Sequence, residues 1–156
     1  MNYGYLCNEI QHFSAMAKIT VQNTQITVLQ WAEQDYISLT DMASAKEGDS
    51  RSADIIKNWI RNRYTIEFLG TWEVIHNPNF KVVEFDHFRK SAGLPSFVLS
   101  ASEWIECTSA IGLVVKKGRY GGTYAHKDIA FEFGSAISVP FKLYLIEEFQ
   151  RLKTEE

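Results

Sequence analysis

From Lys18 to Leu29 apolar and polar positions alternate: Ile19, Val21, Ile26 and Val28 are β-branched and sit among polar neighbours. That period of two predicts a strand or hairpin with one face buried. Tyr36-Ile37-Ser38-Leu39 reads as a segment that pairs with it. The period then changes. Ser38-x-x-Asp41 has the form of a capping box and opens a short helix through Met42, Ala43 and Ala45. Lys46–Ser50, with Gly48, closes that helix as a turn. From Arg51 to Arg63 the sequence RSADIIKNWIRNR places Ile55, Ile56, Trp59 and Ile60 on one side of a helix. Arg51, Asp54, Lys57, Asn58, Arg61 and Asn62 fall on the other. A short helix, a turn and a longer amphipathic helix form a helix-turn-helix candidate.

Downstream, Thr65–His76 predicts a helix rich in aromatics that Asn77-Pro78 stops. Glu84–Ala92 predicts another, ended by Gly93 and Pro95. Ser100-x-x-Glu103 is a second capping box and opens a helix through Ile111, with Trp104 and Ile105 inward and Gly112 as its stop. Leu113–Tyr124 reads as two short strands around a glycine-rich loop. A helix from Lys127 to about Ser138 presents Ile129, Ala130, Phe133 and Ile137 on one face, and Pro140 opens a last helix through about Lys153. No repeat, low-complexity tract or linker interrupts the chain. The pattern predicts an α+β fold, a mostly helical single domain over 18–156 with a small β-sheet or hairpin. Residues 1–17 have no clear period and read as an N-terminal extension, with disorder one expectation for it and Met16 an alternative start.

Composition narrows the classes. At 156 residues and 46% hydrophobic the chain is large enough for one core of its own. Cys7 and Cys107 are isolated, with no Cys or His at metal-ligand spacing, so neither a metal nor a cofactor is expected and a reducing compartment is. The first fifteen residues lack Lys, Arg and a long apolar run, unlike a secretory signal. No segment approaches the roughly 20 apolar residues of a bilayer-spanning helix, and a cytoplasmic or nucleoid-associated protein is expected. The net charge of −3 by itself argues against a nucleic-acid partner. Net charge averages over faces, however, and a local basic footprint is the better guide.

Such a footprint exists. KKGRYGGTY, residues 116 to 124, holds three cations and three glycines in nine positions. A phosphate-binding P-loop needs its glycines first and Lys-Ser/Thr after them at a helix start; here the lysines come first, so the order fails. The dinucleotide fingerprint G-x-G-x-x-G is absent as well. A hairpin wing fits better, because Gly118, Gly121 and Gly122 permit the positive φ of a tight turn. Lys116, Lys117, Arg119 and Lys127 occur with no carboxylate between Val114 and Lys127. Cations so placed suit a phosphate backbone, whose binding is driven by counterion release. A solvated hairpin whose lysines only keep it soluble explains the stretch equally well. The helix from Arg51 bears on the choice: Arg and Asn on its polar face are the residue types that read guanine and adenine edges, although ordinary surface helices carry them too.

Catalytic readings find less support. His12, His76, His87 and His126 are scattered, His126-x-Asp128 fits helix capping, and Glu84 and Asp86 suit a helix start. Trp31, Trp59, Trp72 and Trp104 sit mainly at core positions. No nucleophile–base pair or carboxylate cluster stands out, and no enzymatic activity is expected.

Several motifs together resemble a known family. ISLTDMA (37–43), KNWIRNR (57–63) and GRYGGTYAH (118–126) followed by Asp128-Ile129-Ala130 are similar to a KilA-N domain, a DNA-binding module of phages, bacteria and large DNA viruses. TIEFLGTWEVIHNPNF and FKLYLIEEFQRLK resemble its bacterial form, and the likeness covers roughly Thr20 to Lys153. KilA-N is in turn similar to the fungal APSES domain, a winged helix-turn-helix. The resemblance implies a first helix over 40–45, a second over 51–63 and a wing over 116–124, with Tyr64–Ile111 lacking a counterpart in the fungal form. It implies double-stranded DNA as partner and a regulatory or phage-related role. The candidate contacts are Lys116, Lys117, Arg119, Tyr120, Gly121, Gly122, Thr123 and Lys127 around the wing, and Arg51, Lys57, Asn58 and Arg61 on the helix. A protein-interaction module is the alternative, docking a partner through aromatic helices such as the last, with Phe141, Tyr144, Leu145, Phe149 and Leu152 on one side. A protein partner or a continuation beyond residue 156 belongs to that reading; oligomeric state and target site are not written in the pattern.

Overall fold

The computed structural model describes residues 15–47, 51–118 and 121–155. Among them are seven helices and a five-stranded antiparallel sheet, an α+β fold. The strands are β1 (Ala15–Val21), β2 (Thr24–Trp31), β3 (Gln34–Ser38), β4 (Leu113–Lys116) and β5 (Gly122–His126). The helices are α1 (Leu39–Glu47), α2 (Ser52–Ile60), α3 (Arg63–His76), α4 (Val82–Ser91), α5 (Ala101–Thr108), α6 (Lys127–Ile137) and α7 (Val139–Thr154). The strand order is β1-β2-β3-β5-β4. The chain divides into two compact units, one formed by Asp54–Thr123 and the other from Gln11–Ala53 with Tyr124–Glu156.

In the second of these, β1 and β2 form the expected hairpin, with Ile19 opposite Ile26, and β3 joins β2 with Ile37 opposite Val28. β1 begins three residues before the alternation becomes readable, with Ala17 opposite Val28. β2 does not alternate: Ile26, Thr27, Val28 and Leu29 are all buried. Pairing with β1 and β3 covers its two edges, and burial of four consecutive residues shows that both faces are covered over that stretch as well. The capping box of α1 is half formed. Asp41 N–H donates to Ser38 Oγ at 3.0 Å, but the Asp41 carboxylate accepts from Thr27 N–H at 2.9 Å instead of turning back on Ser38. That diversion ties α1 to β2.

His126 caps α6. Its Nδ1 accepts from Asp128 N–H at 3.2 Å, and its Nε2 faces Gln34 Oε1 at 2.9 Å. The imidazole is buried and structural. Ser138 Oγ accepts from Phe141 N–H at 3.1 Å and starts α7, with Pro140 in its first turn. Phe141, Leu145 and Phe149 of α7 are buried, and Lys153 Nζ reaches Asp35 Oδ2 of β3 at 3.1 Å. Of the five residues expected to offer a docking side, three belong to the core and Leu152 is half-buried, while Tyr144 is exposed. The alternation of α7 that suggested a free aromatic face is the imprint of its own core.

The unit Asp54–Thr123 is built on Trp104, which is fully buried, with the rings of Phe80, Phe85 and Phe88 around it at 5.9, 6.1 and 5.9 Å. Trp59 and Trp72 are buried as expected. α3 and α4 approach closely at Gly70, where any Cβ would run into the Phe85 ring. Two helix ends depart from the pattern. The helix expected over 51–63 stops at Ile60, and after Arg61 and Asn62 a new helix starts at Arg63. Asn62 N–H donates to Trp59 O at 3.2 Å, a tightened last turn, and Asn62 itself is extended, with φ −68° and ψ 139°. α5 ends at Thr108, not Ile111, because Ser109 takes the left-handed conformation with φ 59° and closes on Ile105 O. Its N-terminus is as expected: Glu103 N–H donates to Ser100 Oγ.

Candidate nucleic-acid interface

The segment expected to form a wing is a hairpin, as the glycines imply. β4 ends at Lys116, Gly118 has φ 83°, and Gly122 opens β5 with φ 147°. Gly121 N–H donates to Gly118 O at 2.9 Å. The three glycines are needed for two reasons. Gly118 and Gly122 occupy positive φ, which side chains resist. Gly121 does not; there a Cβ would lie 2.7 Å from Gly118 O and 2.9 Å from Lys116 O. Lys117 is exposed, and Lys116 and Thr123 are half-buried. Arg119 and Tyr120, at the tip, lie outside the described residues. Tyr124 is buried at the hairpin base, and burial, with Asp41 adding to it, pushes its hydroxyl up to about 12. Lys127 has passed into α6, where its ammonium meets Asp128 Oδ1 at 3.1 Å, so its charge is shared with a carboxylate just beyond the acid-free run.

What fixes the wing's root is a residue the pattern gave no role. Glu73 on α3 is buried, and its Oε1 accepts from Asn77 Nδ2 at 2.9 Å and from Ile111 N–H at 3.0 Å. Its Oε2 accepts from Gly112 N–H at 2.7 Å. These are the last two backbone donors before β4. Burial raises the carboxyl above the ordinary carboxylate range, against the lowering effect of those hydrogen bonds and of His76. One signal for it was present: Glu73 stands four residues from Asn77 in an otherwise apolar stretch, and it is the carboxylate that turns inward while Val74 and Ile75 are exposed.

On α2, Lys57 and Asn58 are exposed and Ile56, Trp59 and Ile60 are buried, so the expected faces hold; Ile55 is only half-buried. Arg51 is exposed just before the helix. Asp54 is exposed too and dilutes the positive charge of that side. Arg61 differs from the expectation of a free helical side chain. It lies past the helix end, half-buried, with Nη2 donating to Pro95 O at 3.2 Å. Beside it an open pocket of about 290 Å³ is lined by Asn58, Arg61, Asn62, Gly93, Leu94 and Pro95. Lys57, Asn58, Arg61, Lys116, Lys117, Gly121, Gly122 and Thr123 all belong to the unit Asp54–Thr123; Arg51 and Lys127 belong to the other.

Among the described residues no three His, Cys, Asp or Glu side chains gather as a metal site, and no helix is long and apolar enough to cross a membrane. No curated protein and no solved structure matches the chain. A family profile does, that of the KilA-N domain, and it matches residues 19–155, which take in α1, α2, the hairpin of β4 and β5, and α7. With nearly its whole length covered, the chain belongs to the KilA-N domain family, whose members are generally DNA-binding modules.

Proposed function

We propose that the protein binds duplex DNA without catalysis, its wing on the sugar-phosphate backbone and α2 toward the bases, in a regulatory or phage-related role. Lys116, Lys117 and Arg119 supply the wing's charge, Tyr120 its tip, and Thr123 meets phosphate where Gly121 and Gly122 let the backbone come close. Arg51, just before α2, and Lys57 on it take phosphate, and Asn58 takes the edge of a base. Lys127 adds a weakened charge at the wing's exit. The observation that carries this reading is a glycine-built hairpin bearing exposed Lys117 in a chain of the KilA-N family.

The test replaces Lys116, Lys117 and Arg119 together with Ala and measures affinity for random duplex at several salt concentrations. Affinity should fall alike on every sequence, and the log–log salt slope should flatten by about one unit for each phosphate that is no longer neutralised. The variant should melt within about 1 kcal/mol of the parent, since charges in contact with solvent contribute little to stability. Unchanged affinity and slope would refute the reading.

A further inference from the structure

The pocket beside α2 is of a different kind from the wing. A wing protrudes and meets the DNA surface. A pocket requires that the ligand protrude into it.

Its lining is specific in chemistry. Arg61 Nη2 donates to Pro95 O at 3.2 Å, which tethers the guanidinium beside the pocket, and among the described residues its Nε and Nη1 have no protein partner. The exposed Asn58 carboxamide brings a donor and an acceptor, again without a partner among the described residues. Asn62 is steadied by its own bond to Asn58 O at 3.3 Å. Leu94, which is exposed, and Pro95 supply an apolar wall, and at Gly93 nothing lies within 4 Å of where a side chain would begin, so the mouth is open. No carboxylate lines it. At about 290 Å³ it is at the small end for an organic ligand.

A flat ligand with acceptors for a fork of donors, a donor for an amide oxygen and an apolar face has the chemistry of a nucleobase. Guanine fits best, since its O6 and N7 accept together from one guanidinium. Stacked base pairs expose only edges within a groove and do not reach into a recess, whereas an unstacked base does. We propose that this pocket takes one unstacked purine base, guanine in preference, so that the protein holds DNA at unpaired positions as well as along the backbone. This rests on the DNA-binding reading above, and it draws Gly93–Pro95, from the stretch without a fungal counterpart, into the interface.

The experiment compares the full chain on a perfect duplex, the same duplex with one bulged guanine, and one with a bulged thymine. The bulged guanine should bind about tenfold tighter than the perfect duplex, as one bidentate base contact implies. Leu94→Trp, which fills the mouth from an exposed position, should bring the bulged and the perfect duplex within about twofold of each other; a melt checks its fold. Guanosine 5′-monophosphate should shift the NMR signals of the Asn58 side chain and the Leu94 amide in the parent but not in Leu94→Trp. Equal affinity for all three duplexes with no nucleotide shift overturns the pocket and leaves the wing standing. An equal gain on bulged thymine assigns the effect to bent DNA, and equal shifts from ribose 5-phosphate assign it to phosphate; either overturns the proposal. A parent that binds none of the duplexes yet shows the guanosine shifts sinks the DNA reading and keeps the pocket.

Discussion

Two kinds of hairpin occur in this protein. In β1–β2 and β2–β3 the turns are the pairs Gln22-Asn23 and Ala32-Glu33, and all four residues have positive φ, between 48° and 68°. In β4–β5 positive φ falls, among the described residues, on Gly118 and Gly122. A two-residue turn of the mirror-image type matches strand twist and favours Asn-Gly, so Ala32-Glu33 is a costly choice. It is tolerated because β2 is paired on both sides, with Ile19 and Val21 of β1, Tyr36 and Ile37 of β3 and its own Ile26, Val28 and Leu29 all buried. There the core dictates the turn. The β4–β5 hairpin has Leu113 and Val114 buried on its first strand and Tyr124, Ala125 and His126 at the base of its second, but nothing buried from Lys116 to Gly118 or from Gly121 to Thr123. Its shape must come from residues that accept the conformation without persuasion, and from a carboxylate at its root. A hairpin anchored by packing survives poor turn residues; one with nothing buried next to its turn depends on the turn residues themselves.

The sharpest way to break this contrast is at Glu73. Glu73→Ala leaves Ile111 N–H, Gly112 N–H and one Asn77 donor without their acceptor, at about 1–3 kcal/mol for a buried donor, so a loss of about 3 kcal/mol is expected in denaturant unfolding. A loss under about 0.5 kcal/mol would mean the wing's root is held by packing after all. The carboxyl also carries a pH signature. Burial raises its pKa in the folded state, so the stability tied to its proton is complete below the ordinary carboxylate range and fades as pH rises through the folded value. Parent stability should therefore fall relative to Glu73→Gln across the mildly acidic range; parallel curves would show that the carboxyl is not desolvated.

Next in size is Gly121→Ala, which forces a Cβ against two carbonyl oxygens and should cost about 1–3 kcal/mol or reshape the tip. Its affinity for duplex should drop at least as far as that of the wing triple variant. Parent-like melting and binding would show that the wing needs no glycine there. The smallest effect is expected at the other kind of turn. Ala32→Asn with Glu33→Gly relieves left-handed strain of about 1–2 kcal/mol per residue, offset in part by the unfolded freedom of glycine, and should stabilise by about 1 kcal/mol. A destabilised variant would refute the idea that the core holds this turn against its residues.

Much of the architecture was legible from local chemistry. The alternation around Ile19 to Val28 fixes β1 and β2, Ser100 and Ser38 announce α5 and α1, and the glycines announce the wing. What could not be read is settled by distant partners. Nothing in Arg61-Asn62-Arg63 forbids helix; the chain leaves it there, with Arg61 bonded to a carbonyl 34 positions away. Asp41 looked like a cap that returns to Ser38, but its carboxylate serves β2. Glu73 lies among apolar residues that look more suited to burial than it does, and its partners are 38 and 39 positions away. Of the candidate site, Lys57, Asn58 and Lys117 are outward as expected, while Arg61 and Lys127 are engaged by Pro95 and Asp128.

The notch at Gly70 carries a historical consequence. Because the Phe85 ring fills the space where a side chain at 70 would begin, the two positions are free to drift only as a pair. A descendant that gains even a methyl at 70 must give up the ring at 85 or push α4 away from α3, and α4 leads directly to Gly93 and Leu94 of the pocket. In a set of related chains, then, substitution at 70 should be accompanied by a smaller residue at 85. Lineages that keep glycine and phenylalanine together would be those that keep the loop after α4 where it stands now.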